Sequence, residues 1–132
     1  MWETSGFDNE DLLWAGFGLY GGIAGKQQAS CGAVTASAVY LGLRHRLSLS
    51  DKAAVIKAKG VIEREAAGLV TDFIRRFGSP TCFDLVKMDL SDPEIRKRYV
   101  DLNITKETCD RFVSFVIEKI YELEEKRDRD NP

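Results

Sequence analysis

The 132-residue sequence lacks the marks of a β-sheet. It has no run of alternating β-branched residues, and no Asn-Gly or Asp-Gly pair to turn a hairpin. Long hydrophobic runs are missing as well. The longest, around Leu12 to Gly25, falls short of the ~20 residues that cross a bilayer and is interrupted by five glycines. Glu3, Asp8, Glu10 and Asp11 occupy the place of a cationic leader, so no signal peptide is expected. With a formal net charge of −2 there is no excess of positive charge, which argues against a general nucleic-acid binder. The expectation is a cytoplasmic protein with neither membrane nor nucleic acid among its partners. Histidine occurs once and cysteine three times. An odd number of cysteines cannot pair fully within one chain, and cytoplasmic cysteines are reduced, metal-bound or catalytic.

What is present is helical. The apolar fraction of 44% and charged fraction of 30% are those of an ordinary globular chain. The length suits one domain over 1–132, able to bury a core without disulfide or metal. From Asp51 to Phe77, Val55, Ala58, Ile62, Ala66, Leu69, Val70, Phe73 and Phe77 recur at spacings of three and four. Cys109, Phe112, Val113, Val116, Ile117, Ile120 and Leu123 do the same between Lys106 and Glu125. Each set predicts one apolar helix stripe. Cys31 to Arg46 is rich in small and apolar residues and predicts a helix buried on several sides or packed closely through its alanines and Gly32. A further helix is predicted over Asn9 to Tyr20, weakened by Gly16 and Gly18. Ser50, Ser79 and Thr105 are expected as N-caps, Pro80 as a first helical residue, and Ser91-Asp92-Pro93-Glu94 as a capping box opening a helix through Tyr99. Gly78 is expected to close the long helix. The fold class is therefore all-α, a compact bundle of about five to six helices, with 1–8 and 125–132 as frayed ends.

Several motifs fail on context. Gly16-Phe17-Gly18-Leu19-Tyr20-Gly21 spells GxGxxG, but no strand precedes it and no parallel sheet follows. Gly25-Lys26 lacks both the earlier glycine and the Ser or Thr of a phosphate loop. His45 reads as a histidine at a helix end, where a cation complements the dipole. It has no paired ligand spacing for metal or haem. No nucleophile-elbow motif supports a hydrolase. Phe73, Phe77, Phe112, Phe115 and Tyr121 read as core or interface.

Cys31, Cys82 and Cys109 carry the remaining chemistry. Each falls at or within about one turn of an expected helix start, where unpaired N–H groups and the dipole favour thiolate over thiol. The thiolate is both the nucleophile and the metal ligand. The competing reading is that all three are small buried hydrophobes.

Gly21-Gly22-Ile23-Ala24-Gly25, then Ser30-Cys31-Gly32-Ala33-Val34-Thr35-Ala36 and Leu41-Gly42-Leu43, resembles the signature of the C-GCAxxG-C-C family, whose name records a suspected redox activity. Phe77-Gly78-Ser79-Pro80-Thr81-Cys82-Phe83-Asp84-Leu85-Val86 looks like that family's second cysteine block, and Cys109 like its final cysteine. The resemblance covers about Asn9 to Leu123. It implies an all-helical domain and thiol redox chemistry, since some relatives are selenoproteins. It also implies haem or iron–sulfur association in the wider group, since others are named after split-Soret cytochromes. Two departures stand out. The family's first cysteine, upstream of the glycine turn, has no counterpart, its position falling at or before Met1. Ala36 replaces a usual glycine. A four-cysteine site would need water, His45 or a second subunit to complete it.

Three functions are expected from this reading. In the leading one, Cys31 is the exposed, activated thiol beside a mobile turn and Lys26, Cys82 resolves it, and Cys109 is third at the site, with an unidentified redox partner. In the second, the same three cysteines ligate a metal, an iron–sulfur cluster or part of a haem site. In the third, they are inert filler in a structural protein whose Phe-rich last helix forms a homodimer face.

Overall fold

The stripe from Val55 to Phe77 becomes one long helix in the computed structural model, which describes residues 9–130. The described residues form six helices, one short 3-10 turn and no strand, an all-α fold. In chain order the helices are α1 (Asp11–Gly16), α2 (Gly32–Arg44), α3 (Lys52–Phe77), α4 (Cys82–Val86), α5 (Pro93–Asp101) and α6 (Ile104–Asp130). The helix expected over Asn9 to Tyr20 is broken into α1 and a 3-10 turn over Phe17–Leu19, where Gly16 and Gly18 weaken the helical backbone. None of the helices is long and apolar enough to cross a membrane.

The caps show which local hydrogen bonds prevail. Asp51, not Ser50, starts α3, its carboxylate accepting the Ala54 N–H at 3.0 Å. Asp92 caps α5 by accepting from Glu94 and Ile95, with Pro93 in the first helical turn, while Ser91 turns back to Asp89. Asn103, in the left-handed region at φ 55°, separates α5 from α6, so Thr105 lies inside α6 rather than at its cap. Gly78 closes α3 at φ 88°, as expected.

Helices α2, α3 and α6 pack against one another around the core. Phe73 is wholly buried, with Val34 of α2, Leu69 of α3 and Phe112, Val116 and Ile120 of α6 in the same cluster. Burying one such side chain favours folding by about 1.5–3 kcal/mol. Phe73, Phe77, Phe112 and Phe115 stack in tilted and edge-on pairs with centroids 4.8 to 5.9 Å apart. Phe112 is buried and Phe115 half-buried, so the Phe-rich stripe contributes to the core of this chain. Ser37 is buried in α2 and donates to the Val34 carbonyl at 2.7 Å. Helix α6 includes most of the charge run and reaches Asp130, where Glu124 takes the single Arg44 Nε–H between its two carboxylate oxygens at 3.0 Å and accepts a further bond from Arg127; residues 1–8, the other expected frayed end, lie outside the described residues.

Candidate thiol site

The site is built on an unusual backbone. Gly21, Gly22, Ile23, Ala24 and Gly25 all have positive φ, between 50° and 80°, and Gln27 follows at 60°. Left-handed backbone costs a non-glycine residue roughly 1–2 kcal/mol, and a β-branched residue such as Ile23 is a clear outlier there. Hydrogen bonds hold the turn: the N–H groups of Ala24, Gly25 and Gln27 donate to the carbonyls of Gly18, Tyr20 and Gly21. Gly22 has no room for a side chain. A Cβ there would lie 2.7 Å from the Ala29 carbonyl oxygen and 2.8 Å from Cys82 Cβ.

This turn delivers residues 27–31 against residues 80–83. Ser30 and Thr81 form an antiparallel bridge, with the Cys31 N–H donating to Pro80 at 2.7 Å and the Cys82 N–H donating to Ala29 at 3.0 Å. Pro80 has no N–H, so it cannot return the bond from Cys31. Cys31 lies opposite Pro80, which makes Cys82 its diagonal neighbour, at a Cα separation of about 7–8 Å in such a ladder. A disulfide requires about 7 Å or less. All three cysteines are free thiols.

Gln27 locks the arrangement. It is 3% exposed, its amide donating to the Met88 carbonyl at 3.0 Å and accepting the Leu90 N–H at 2.7 Å, and its side chain favours the ionised form of Cys82. Cys109 comes from the second turn of α6. Its sulfur lies 3.1 Å from the hydroxyl of Tyr99, a buried residue of α5.

Burial dominates the electrostatics. It raises the Cys31 thiol above its ordinary value, against the N–H groups of Ala33 and Val34 at the head of α2, which favour the thiolate; the Cys109 charge raises it further. Burial also pushes Cys82 up to about 11, with the charges of Cys31 and Cys109 adding and Gln27 opposing. Tyr99 is raised by burial first and then by its bond to Cys109. Each of the three sulfurs is therefore close enough to feel another's charge.

Several sequence expectations are corrected by this geometry. Cys31 is not the exposed thiol: it and Cys82 are buried, while Cys109 is half-buried and the most accessible of the three. Helix-start activation is outweighed by lost hydration at Cys31 and Cys82, and α4, with five residues, has little dipole to offer. Cys82 is the first residue of α4 behind Thr81; Ser79 instead accepts the Thr81 N–H and donates to Asp84. Lys26 is exposed and is not among the charges acting on either buried thiol. The turn expected to be mobile is tied down by backbone hydrogen bonds.

His45 ends α2 and cannot complete the site. Thirteen residues of helix separate it from Cys31, about 20 Å at 1.5 Å per residue. Its Nε2 lies 2.6 Å from Glu65, in a cleft of about 750 Å³ between α3 and α6 that holds none of the cysteines. Among the described residues no three His, Cys, Asp or Glu side chains converge to hold a metal ion. The thiols are neighbours but do not form a ligand set, and the residues described do not fit a cluster that needs four thiolates.

Sequence reasoning missed Gln27 and Tyr99. Tyr99 had a signal: it stands four residues after Ile95 on the inward face of α5. Gln27 had none, because a polar residue in an irregular segment leaves no periodic trace.

The model of the family described as "Putative redox-active protein (C_GCAxxG_C_C)" matches residues 1–123. No curated protein and no solved structure matches the chain.

Proposed function

The chain belongs to the C_GCAxxG_C_C family, and from that membership and the clustered thiols we propose that it is a thiol-based redox protein whose working pair is Cys31 and Cys82, with Cys109 as the third thiol. The family description supports a redox role in general. The observation that carries the thiol assignment is the Ser30–Thr81 bridge, which makes Cys31 and Cys82 diagonal neighbours. On oxidation the two thiols give up two protons and two electrons and form one S–S bond. The electrons reduce a disulfide of a partner, whose two sulfurs leave as thiols. Raised thiols are poorly ionised at neutral pH but strongly nucleophilic once ionised. This suits a pair that stays reduced in the cytoplasm until a partner disulfide arrives.

The test is equilibration of the reduced protein across a series of glutathione redox ratios, followed by alkylation and peptide mapping. The expected product is a Cys31–Cys82 cross-linked peptide, lost in Cys82→Ser. Full alkylation of both residues at every ratio would sink the assignment. It would favour a second reading, cysteines as core filler, which has its own support: Cys31 belongs to the same buried cluster as Val34, Leu69 and Phe73.

A further inference from the structure

Two of the three thiols are closed off, and the third is not. Cys31 and Cys82 are 9% and 7% exposed, whereas Cys109 is only partly covered. An incoming disulfide must bring a sulfur into line with the attacking thiolate, so access decides which cysteine reacts first. Cys109 also has a dedicated partner. The Tyr99 hydroxyl lies 3.1 Å from its sulfur, and either atom can donate while both are neutral. Once Cys109 ionises, the thiolate can only accept, so the phenol becomes the donor of a charge-assisted hydrogen bond. Tyr99 itself stays protonated in its buried setting, consistent with its raised titration. The titratable groups facing Cys109 are Tyr99 from α5, Cys31 from the head of α2 and Cys82 from α4.

We infer that Cys109 is the receiving thiol of the cluster, taking a mixed disulfide from an incoming disulfide substrate, and that Tyr99 is the positioning residue that holds its thiolate. The Cys109 thiolate attacks one sulfur of R–S–S–R′. That S–S bond breaks, R′–S⁻ leaves and takes a proton from water, and Cys109–S–S–R remains. Cys82, after losing its proton to solvent, attacks the Cys109 sulfur and releases R–S⁻. Cys31 then loses its proton to the released R–S⁻ and attacks the Cys82 sulfur; the Cys82–Cys109 bond breaks, leaving the Cys31–Cys82 disulfide and restoring the Cys109 thiolate. The two later steps rest on the function proposed above; the first does not.

The test begins with reduced wild-type protein and a substoichiometric aromatic disulfide reagent at pH 7, quenched in acid and mapped by peptide. The first mixed disulfide is expected on Cys109, in wild type and in a Cys31→Ser/Cys82→Ser variant. First labelling of Cys31 or Cys82 in wild type would overturn the assignment. Because the double variant cannot form the internal disulfide, labelling of Cys109 there separates this inference from the fate of the Cys31–Cys82 pair. For Tyr99, the Tyr99→Phe variant keeps the ring and removes the donor. Alkylation of Cys109 is expected to slow about tenfold at pH 7, and to converge with wild type on the plateau reached at high pH. An unchanged rate at pH 7 refutes the role of Tyr99, and so does an equal slowing at all pH values.

Discussion

The helical core and the thiol end of this chain are held by different means. The core of α2, α3 and α6 uses ordinary helical backbone and apolar stripes, with four phenylalanines at its centre. The thiol end uses five consecutive residues with positive φ, a single antiparallel bridge, a buried glutamine and a five-residue helix. In the core, stability comes from apolar area, which tolerates local change in proportion to the atoms removed. At the thiol end, backbone conformation and a few polar bonds fix where two sulfurs stand, so small changes there act on chemistry out of proportion to the surface they bury.

The comparison is tested first at its largest contrast. Phe73→Ala removes the central ring of the core and is expected to cost about 3–5 kcal/mol, read as a lower urea midpoint. A loss below about 1 kcal/mol would mean that the core is not centred on this residue. Gly22→Ala adds one carbon at the thiol end, yet it meets the Ala29 carbonyl and Cys82 Cβ inside 3 Å at a φ of 61°. Overpacking and left-handed strain together set its cost at about 2–4 kcal/mol. The variant is also expected to displace Cys82 and to lower the yield of the Cys31–Cys82 disulfide beyond what its stability explains. A variant as stable as wild type would show that the turn gives way easily. Gly68→Ala is the control in α3: nothing lies within 4 Å of the added carbon, and the better helix former is expected to stabilise by up to about 1 kcal/mol.

Gln27→Leu tests the polar half of the contrast. The change leaves the Met88 carbonyl and the Leu90 N–H without their partner, at a cost of about 1–3 kcal/mol for buried groups. It also removes the polar side chain that opposes the upward shift of Cys82, so the Cys82 alkylation profile is expected to move to higher pH. A profile that stays in place would separate Gln27 from the thiol and leave it a purely structural tie.

The two regions also differ in how far they could be read from the residues. Every member of the α3 stripe, from Val55 to Phe77, lies at least partly inward, because a period near 3.6 maps directly onto one helix face. Of the α6 stripe only Val113 faces outward. The cysteine blocks were legible because they resemble a family signature. Their accessibility was not: a helix start is visible in sequence, but the depth at which tertiary packing buries it is not, and burial is the main cause that raises Cys31 and Cys82. The left-handed run was hidden for a similar reason. Three glycines announced a turn, yet Ile23 and Ala24 take positive φ only because the surrounding hydrogen bonds require it.

The last expected effect is the dependence of stability on alkaline pH. Cys82 has an ordinary thiol value of 9.0 and titrates at about 11 in the fold, and Cys31 is shifted in the same direction. Above pH 9 the unfolded chain loses these protons while the native chain keeps them. The unfolded state then binds fewer protons, and stability falls as pH rises. The contribution is fully present below pH 9 and lost through about pH 11. Chemical denaturation of the reduced protein at a series of pH values in this window is therefore expected to show a declining midpoint. Cys82→Ala should flatten that slope even though it lowers stability at pH 7, because the titrating group is gone. The half-buried Tyr40 and the buried Tyr99, also raised, contribute a decline of the same sign above pH 10, so the comparison that isolates Cys82 is the difference between variant and wild type from pH 9 to 10. A slope that Cys82→Ala leaves unchanged there would mean that this thiol is as well hydrated in the fold as in the unfolded chain, and that the thiol end is more open than the core it adjoins.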